Sequence, residues 1–183
     1  MAVVSRLPDP SNQFISVGRT PRSAADPPVG LLAALTIAAV FLPAARAADP
    51  FYLGTWKISS AVVAPWADPA RPDPSEMKSL VGKIITIKPG EIAGQRTLAC
   101  KGPKYRVKDY PADWLFQGAF GAMHDRDKSA DPAKIAASLG FKGSSWKTLI
   151  TGCANELEYH FVDETTAEFG LNDYVYTMKK QPN

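Results

Sequence analysis

The side chains best suited to chemistry are histidines and carboxylates, and the chain has only two histidines. Glu158 and His160 are two positions apart, so they share one face of any extended strand. His124, Asp125 and Asp127 form a second group of metal-type ligands. These groups make a metal site only if the fold brings them together. Because acidic surface strands and aspartate-rich loops are far more common, we expect no metal site.

Motifs of known catalytic sites are absent from the sequence: it has no Gly-x-Ser-x-Gly, no phosphate-binding glycine loop and no His-Glu-x-x-His. Residues 148–178 contain six acids and no lysine or arginine. We interpret these acids as solvated side chains of an outer sheet face rather than a buried pair with shifted pKa values. We therefore expect a protein that is not an enzyme and needs no cofactor.

The two cysteines, Cys100 and Cys153, are predicted to form a disulfide. An exported domain with two cysteines usually pairs them, and no Cys-x-x-Cys or neighbouring histidine favours a metal or nucleophile role. In the chain-entropy model, closing this loop contributes about 4 kcal/mol to stability.

Charge is divided unevenly along the chain. Residues 78–108 carry eight basic residues and one acid, opposite in sign to the acidic segment 148–178. The two segments could neutralise each other across adjacent strands. Alternatively, each could form a separate patch, one for polyanions and one for a cationic protein.

A meander near the C-terminus organises the expected fold. Leu157, Tyr159 and Phe161 alternate with polar residues, and a second alternation runs through residues 166–171. A two-residue turn at Asn172-Asp173 would place three apolar pairs on one face. These pairs are Leu171 with Tyr174, Phe169 with Tyr176, and Ala167 with Met178. Glu168, Val175 and Thr177 would then face away from the core.

Further short strands are predicted around residues 51–63, 80–87, 92–98, 105–107 and 146–151. Asp131 as N-cap, Pro132 at the first helical position and Gly140 as a stop predict one short helix. The proline-rich segment 64–77 is predicted to be an exposed loop, and residues 110–127 a packed loop. The expected fold class is all-β with one short helix, arranged as a small antiparallel up-and-down barrel.

Gly54-Thr55-Trp56, at the start of the first strand, resembles the opening motif of the lipocalins and the wider calycin group of barrels. Asn172-Asp173-Tyr174 is similar to the lipocalin Thr-Asp-Tyr motif, with Asn in place of Thr. A lipocalin continues into further strands and a helix, whereas only nine residues follow Tyr174. The resemblance implies a shortened lipocalin-like barrel with Trp56 across its closed end, as a core plug or as a ligand contact.

Binding without catalysis is the expected function. The first hypothesis is a carrier of a small apolar ligand, in a cavity lined by seven aromatic residues. These ligand-binding residues are Trp56, Tyr105, Trp146, Tyr159, Phe161, Phe169 and Tyr176. The alternative is a periplasmic protein-binding module or enzyme inhibitor of the lysozyme-inhibitor type, acting through loops and charged faces around a filled barrel.

Residues 1–47 are predicted to be a leader and signal peptide, and residues 48–183 a single β-barrel domain. Residues 29–42 are an apolar run of fourteen, followed by Ala45-Arg46-Ala47. This run is shorter than a stable membrane span requires, so we expect a periplasmic or secreted protein. Residues 1–47 carry four arginines and two aspartates, so the formal charge falls from +3 to +1 without them. A nearly neutral domain does not predict nucleic acid as a partner.

Cleavage before Ala48 is the testable consequence. We expect N-terminal sequencing of the exported protein to begin at Ala48, because small residues stand at positions −3 and −1 of that bond. A full-length product recovered in the membrane fraction would contradict this prediction.

Overall fold

The computed structural model describes residues 50–67 and 72–182, so the predicted leader and signal peptide lie outside the described residues. Nine strands form one curled antiparallel sheet. Their bounds are β1 Gly54–Val63, β2 Ile84–Lys88, β3 Glu91–Ala93, β4 Cys100–Lys101, β5 Arg106–Tyr110, β6 Trp146–Ile150, β7 Glu158–Phe161, β8 Thr166–Leu171 and β9 Tyr174–Lys180. The all-β, barrel-like fold class is confirmed.

The strand order is β4-β3-β2-β1-β9-β8-β7-β6-β5, so β1 pairs with β9 and the two edges are β4 and β5. All eight neighbouring pairs are antiparallel. With an odd number of strands, the two edge strands therefore run in the same direction. Parallel strands need a crossover of a dozen or more residues to pair, whereas residues 102–105 alone connect β4 to β5. The sheet is consequently a barrel left open at one seam.

The predicted disulfide joins the two ends of this open sheet. Cys100 lies in edge strand β4, and Cys153 lies just after β6, the neighbour of the other edge strand. Their Cα atoms are 6.0 Å apart, which confirms the predicted pairing. The covalent bond thus supplies a link that strand pairing does not.

The β8–β9 hairpin has the predicted register. Leu171 pairs with Tyr174 and Phe169 with Tyr176. Asn172 has a φ of 49°, the left-handed conformation that the tight turn requires and that asparagine adopts more readily than most residues.

The inner face of the sheet forms the main hydrophobic core. Every strand but β4 and β5 contributes a fully buried residue, and the partly buried Cys100 and Tyr105 pack against them. Trp56 is fully buried there; its Nε1 donates to the Tyr52 carbonyl at 3.0 Å. The ammonium of Lys180 lies 5.6 Å from the centre of the Trp56 ring, a cation–π distance.

In residues 50–67 and 72–182, three α-helices accompany the sheet, whereas the sequence predicts one. They are α1 Pro74–Leu80, α2 Leu115–Arg126 and α3 Pro132–Ser138, with a 3₁₀ turn at Ala112–Trp114 before α2. The predicted helix is α3, and Asp131 caps it as expected. The predicted loops are wrong at α1, which Asp73 caps, and at α2, whose large side chains pack on the sheet.

A second hydrophobic core fills the space between α2, α3 and the outer face of the sheet. It contains Ala64, Leu115, Phe116, Phe120, Ala136, Phe141, Trp146 and Val175. The sheet is therefore covered on both faces in this region, although its strands show the alternation of a half-buried sheet. None of the helices in residues 50–67 and 72–182 has the length and apolar character needed to cross a bilayer.

Truncation of Phe169 tests the inner core. Phe169 is fully buried and stacks on Tyr176 with ring centres 5.0 Å apart. We expect Phe169→Ala to lower the free energy of unfolding by about 3–5 kcal/mol in denaturant melts. Val63→Ala, on a strand of the same sheet but about half exposed, should stay within about 1 kcal/mol of wild type. Equal losses in the two variants would contradict the assigned inner face.

Candidate functional site

Most of the predicted ligand-binding residues lie together on the inner face. The fully or almost fully buried members are Trp56, Tyr159, Phe161, Phe169 and Tyr176. Tyr105 packs against this core, and its hydroxyl donates to the Lys88 carbonyl at 2.9 Å. Burial raises the pKa of Tyr105 to about 12, so this phenol stays protonated.

These inner rings contact one another. Tyr159 meets Phe169 edge-on with ring centres 5.6 Å apart, and Trp56 meets Phe161 in the same way at 5.7 Å. With the Phe169–Tyr176 stack, these contacts occupy the middle of the inner face. Aromatic pairs of this geometry contribute about 0.5–1.5 kcal/mol each beyond their buried area. The inner aromatic residues therefore act first as packing, and a ligand among them would have to displace ring contacts.

Trp146 lies apart from the other predicted residues, because it belongs to the outer core. Its ring packs edge-on against Phe141 at 5.3 Å, and its Nε1 donates to the Lys142 carbonyl at 3.2 Å. Trp146 and Phe161 do line a common cleft of about 390 Å³ where their strands end. The sheet otherwise separates Trp146 from the inner core.

A row of polar residues crosses the outer face over four adjacent strands. Its members are Thr148, His160, Glu168 and Thr177, each the cross-strand partner of the next. Thr148, His160 and Glu168 are buried. The outer face of β8 also carries Gly170, where an added Cβ would lie within 3.0–3.3 Å of the rings of Trp66 and Phe116. These rings help to cover the row.

His160 uses both ring nitrogens within the protein. The backbone N–H of Phe116 donates to Nε2 at 2.9 Å, so Nε2 must be unprotonated. The proton therefore resides on Nδ1, which lies 2.9 Å from the hydroxyl of Thr148 and donates to it. Burial lowers the pKa of His160 to about 3, which keeps the ring neutral. His160 is thus a structural residue with no nitrogen left for a metal or a substrate.

The hydrogen bond to His160 holds an unusual backbone segment. Phe116, Gln117 and Gly118 have φ angles of 52°, 56° and 79°, and we call residues 116–118 the left-handed turn. A non-glycine residue in this conformation costs roughly 1–2 kcal/mol. The side-chain amide of Gln117 donates to the Glu156 carbonyl at 2.7 Å, and Phe116 packs against the His160 ring at 4.6 Å. Such strain is found more often at functional sites than elsewhere.

Glu168 is only 5% exposed, so the interpretation of all six acids as solvated is wrong for this residue. It faces away from the inner core, as its register requires, but the outer face is itself covered. Oε1 accepts from the Thr177 hydroxyl at 3.1 Å, whereas Oε2 has no hydrogen-bond partner among the described residues. Burial raises the pKa of Glu168 to about 7, although Thr177 and the nearby Lys179 oppose the shift.

An open cleft lies beside the left-handed turn, and we call it the Trp114 cleft. It is lined by Tyr110, Asp113, Trp114, Gln117, Gly118 and Glu158. Its volume is about 390 Å³, within the roughly 300–1,000 Å³ typical of ligand sites. The Trp114 side chain is 58% exposed, and its ring centre is 5.7 Å from that of Tyr110.

Glu158 gives this cleft a carboxylate without a protein donor at one oxygen. Its Oε2 is buried and has no hydrogen-bond partner among the described residues. Burial raises the pKa of Glu158, and the nearby charge of Lys108 opposes that shift. Burial and the Glu158 charge also raise the pKa of Tyr110. The cleft therefore combines two aromatic side chains with a partly desolvated carboxyl group.

The sequence analysis singles out Glu158 but not Tyr110, Trp114 or Gln117. The sequence feature that could have indicated these residues is the run of large apolar side chains at 114–120, which has neither a strand nor a helix period. Such a run needs an apolar surface to cover, and the outer face of the sheet provides it.

The second group of metal-type side chains is occupied by local contacts. The Nδ1 of His124 lies 2.9 Å from the Ala130 carbonyl, Asp125 pairs with Lys128, and Asp127 accepts from Ser129. Across residues 50–67 and 72–182, no three His, Cys, Asp or Glu side chains are placed to hold a metal ion.

Comparison of the chain with models of known protein families, with curated proteins and with solved structures finds no match. The resemblance to lipocalins therefore rests on the two short motifs around Trp56 and Tyr174.

Glu168→Gln should reveal the cost of burying this carboxylate. The native group binds a proton below about pH 7 and the unfolded group below about pH 4.5. Wild type should therefore lose stability relative to Glu168→Gln as the pH rises between these values. The difference should change by on the order of 2–3 kcal/mol and stay constant at higher pH. Chemical denaturation of both proteins at a series of pH values measures it.

The difference between the two proteins must be measured because His160 makes stability depend on pH with the opposite sign. Its pKa of about 3 lies below the ordinary 6.5, so its contribution to stability grows as the pH rises through this range. Glu164→Gln, which changes an exposed carboxylate between β7 and β8, is the matched control. Its stability should follow that of wild type across the pH series. A constant difference between Glu168→Gln and wild type from pH 4 to 8 would contradict the burial of an ionisable Glu168.

Proposed function

We propose that this protein is a non-catalytic, extracytoplasmic binding protein whose ligand occupies the Trp114 cleft. The proposed ligand is a neutral, polyhydroxylated ring compound such as a sugar. The observation that carries this proposal is the half-buried carboxylate of Glu158 in the same cleft as an exposed tryptophan.

The chemistry of the cleft suits such a ligand. The C–H face of a sugar ring carries small positive partial charges, which favour the negative face of an aromatic ring such as Trp114 or Tyr110. A hydroxyl group of the ring can donate to the carboxylate of Glu158, and hydrogen bonds to charged groups contribute about 1.5–3 kcal/mol. The strained left-handed turn places Gln117 and Gly118 at the edge of the same cleft.

A neutral ligand fits better than a cation, although aromatic rings and carboxylates can also bind cations. Lys108 acts on Glu158 and Arg106 acts on Tyr110 through their charges. These two cations reduce the negative potential of the cleft, so a permanent positive charge gains less there than a hydroxyl donor does.

The experiment is a titration with methyl glycosides of glucose, galactose, mannose and N-acetylglucosamine, followed by tryptophan fluorescence and calorimetry. We expect at least one glycoside to bind. Trp114→Ala and Glu158→Gln should each weaken its binding about tenfold or more, because each removes a contact worth more than about 1.4 kcal/mol. Trp66→Phe, which alters a tryptophan outside this cleft, should bind like wild type.

Two outcomes would count against this function. One is the absence of binding to every glycoside by a folded protein. The other is tighter binding of tetramethylammonium than of any glycoside, which would make the cleft a cation site.

A small apolar ligand inside the barrel is the second candidate function. One observation favours it: the hydroxyl of the fully buried Tyr159 has no hydrogen-bond partner among the described residues, so a polar atom of a ligand could satisfy it. Titration with N-phenyl-1-naphthylamine separates the two functions. Binding that Tyr159→Phe alters and Trp114→Ala does not would favour the interior site.

A further inference from the structure

The outer edge of β5 has no strand partner among the described residues. β5 pairs with β6 on one side and ends the strand order on the other. Its residues 106–109 are all exposed, including Val107, which is 40% exposed. An exposed edge strand presents unpaired N–H and C=O groups that can pair with another chain.

Cations follow this edge at every second position. Lys104, Arg106 and Lys108 alternate along the strand, so they share one face, and all three are exposed. Lys104 also extends the ladder, because its N–H donates to the Thr151 carbonyl at 2.8 Å. The stripe of positive charge therefore lies along a continuous segment of extended backbone.

Within the part of the chain that the structure describes, these three cations form no ion pair. In the basic segment 78–108, Lys88 and Lys101 both pair with Glu91, which belongs to the same segment. Asp109, on the opposite face of β5, pairs with Lys147 at 3.6 Å. No described ion pair connects the basic segment to the acidic segment 148–178. This arrangement favours a separate basic patch over mutual neutralisation.

The positive charge of this edge also indicates which kind of strand could pair with it. If two copies paired through β5 in antiparallel fashion, Arg106 and Lys108 would lie opposite one another or opposite themselves, and like charges directly opposite are destabilising. An acidic strand would instead bring opposite charges together. Because β4 and β5 run in the same direction, an added strand that is antiparallel to β5 is also antiparallel to β4.

We propose that the open edge of β5 is an interaction surface that accepts an extended acidic segment of another protein as an added antiparallel strand. Backbone hydrogen bonds give such an added strand its affinity, and alternate side chains give it specificity. Here the specificity comes from acids opposite Lys104, Arg106 and Lys108. This surface adjoins the Trp114 cleft, because Tyr110 of β5 lines that cleft, but the proposal does not require a ligand there.

The test uses a fluorescein-labelled peptide of alternating valine and glutamate, eight residues long, and measures its binding by anisotropy at low salt. We expect saturable binding, and protection from hydrogen exchange of amide groups within residues 106–110. The double variant Arg106→Glu, Lys108→Glu should weaken binding at least tenfold. Lys57→Glu with Lys83→Glu makes the same change of charge away from this edge and should have less than a threefold effect.

A second peptide separates strand addition from simple attraction between charges. The same sequence with an N-methyl group on every residue keeps every glutamate but has no backbone N–H to donate to the ladder, so it should bind at least tenfold more weakly. Equal binding of both peptides, no binding of the first, or tighter binding of a single-stranded oligonucleotide than of the peptide would each overturn the proposal.

Discussion

The hydrogen bond from the Phe116 N–H to His160 connects the sheet to the wall of the Trp114 cleft. It joins the sheet to the start of α2, it fixes one end of the left-handed turn, and it buries a neutral imidazole under the Phe116 ring. Because the turn forms one side of the Trp114 cleft, the shape of the cleft depends on a histidine that touches no ligand. The Phe116 N–H fixes the tautomer of that histidine, and the Thr148 hydroxyl accepts from the protonated Nδ1.

Covering both faces of the sheet has an energetic consequence for polar residues. A strand residue that would be solvated in an ordinary half-buried sheet must here find a partner or change its protonation state. His160 finds two partners and stays neutral, whereas Glu168 finds one and is shifted toward its protonated form. Glu158 lies at the border of the covered region, which leaves it partly desolvated and close to an open cleft.

The sequence was informative wherever local patterns determine structure. Alternation and the Asn172-Asp173 turn predicted the β8–β9 register, and the only two cysteines predicted the disulfide. Alternation shows which residues share a face but not whether another layer covers that face, so the burial of Glu168 was missed. The left-handed turn could not be predicted either, because its partner His160 is 44 residues away and because Phe116 and Gln117, unlike Gly118, do not favour positive φ. Trp114 was left in a loop because its role depends on that turn.

The odd number of strands separates two properties that usually go together in a barrel, its curvature and its closure. Curvature comes from the packed inner core and eight hydrogen-bonded ladders. The two ends of the sheet are linked instead by the Cys100–Cys153 bond, by the four residues between β4 and β5, and by the hydrogen bond from Tyr105 to the Lys88 carbonyl. A hydrogen-bonded closure is lost when water competes for it, but a covalent closure is lost only when two electrons are supplied. Reduction would therefore remove one cross-link of the seam, while the four residues between β4 and β5 would still tether its two edges.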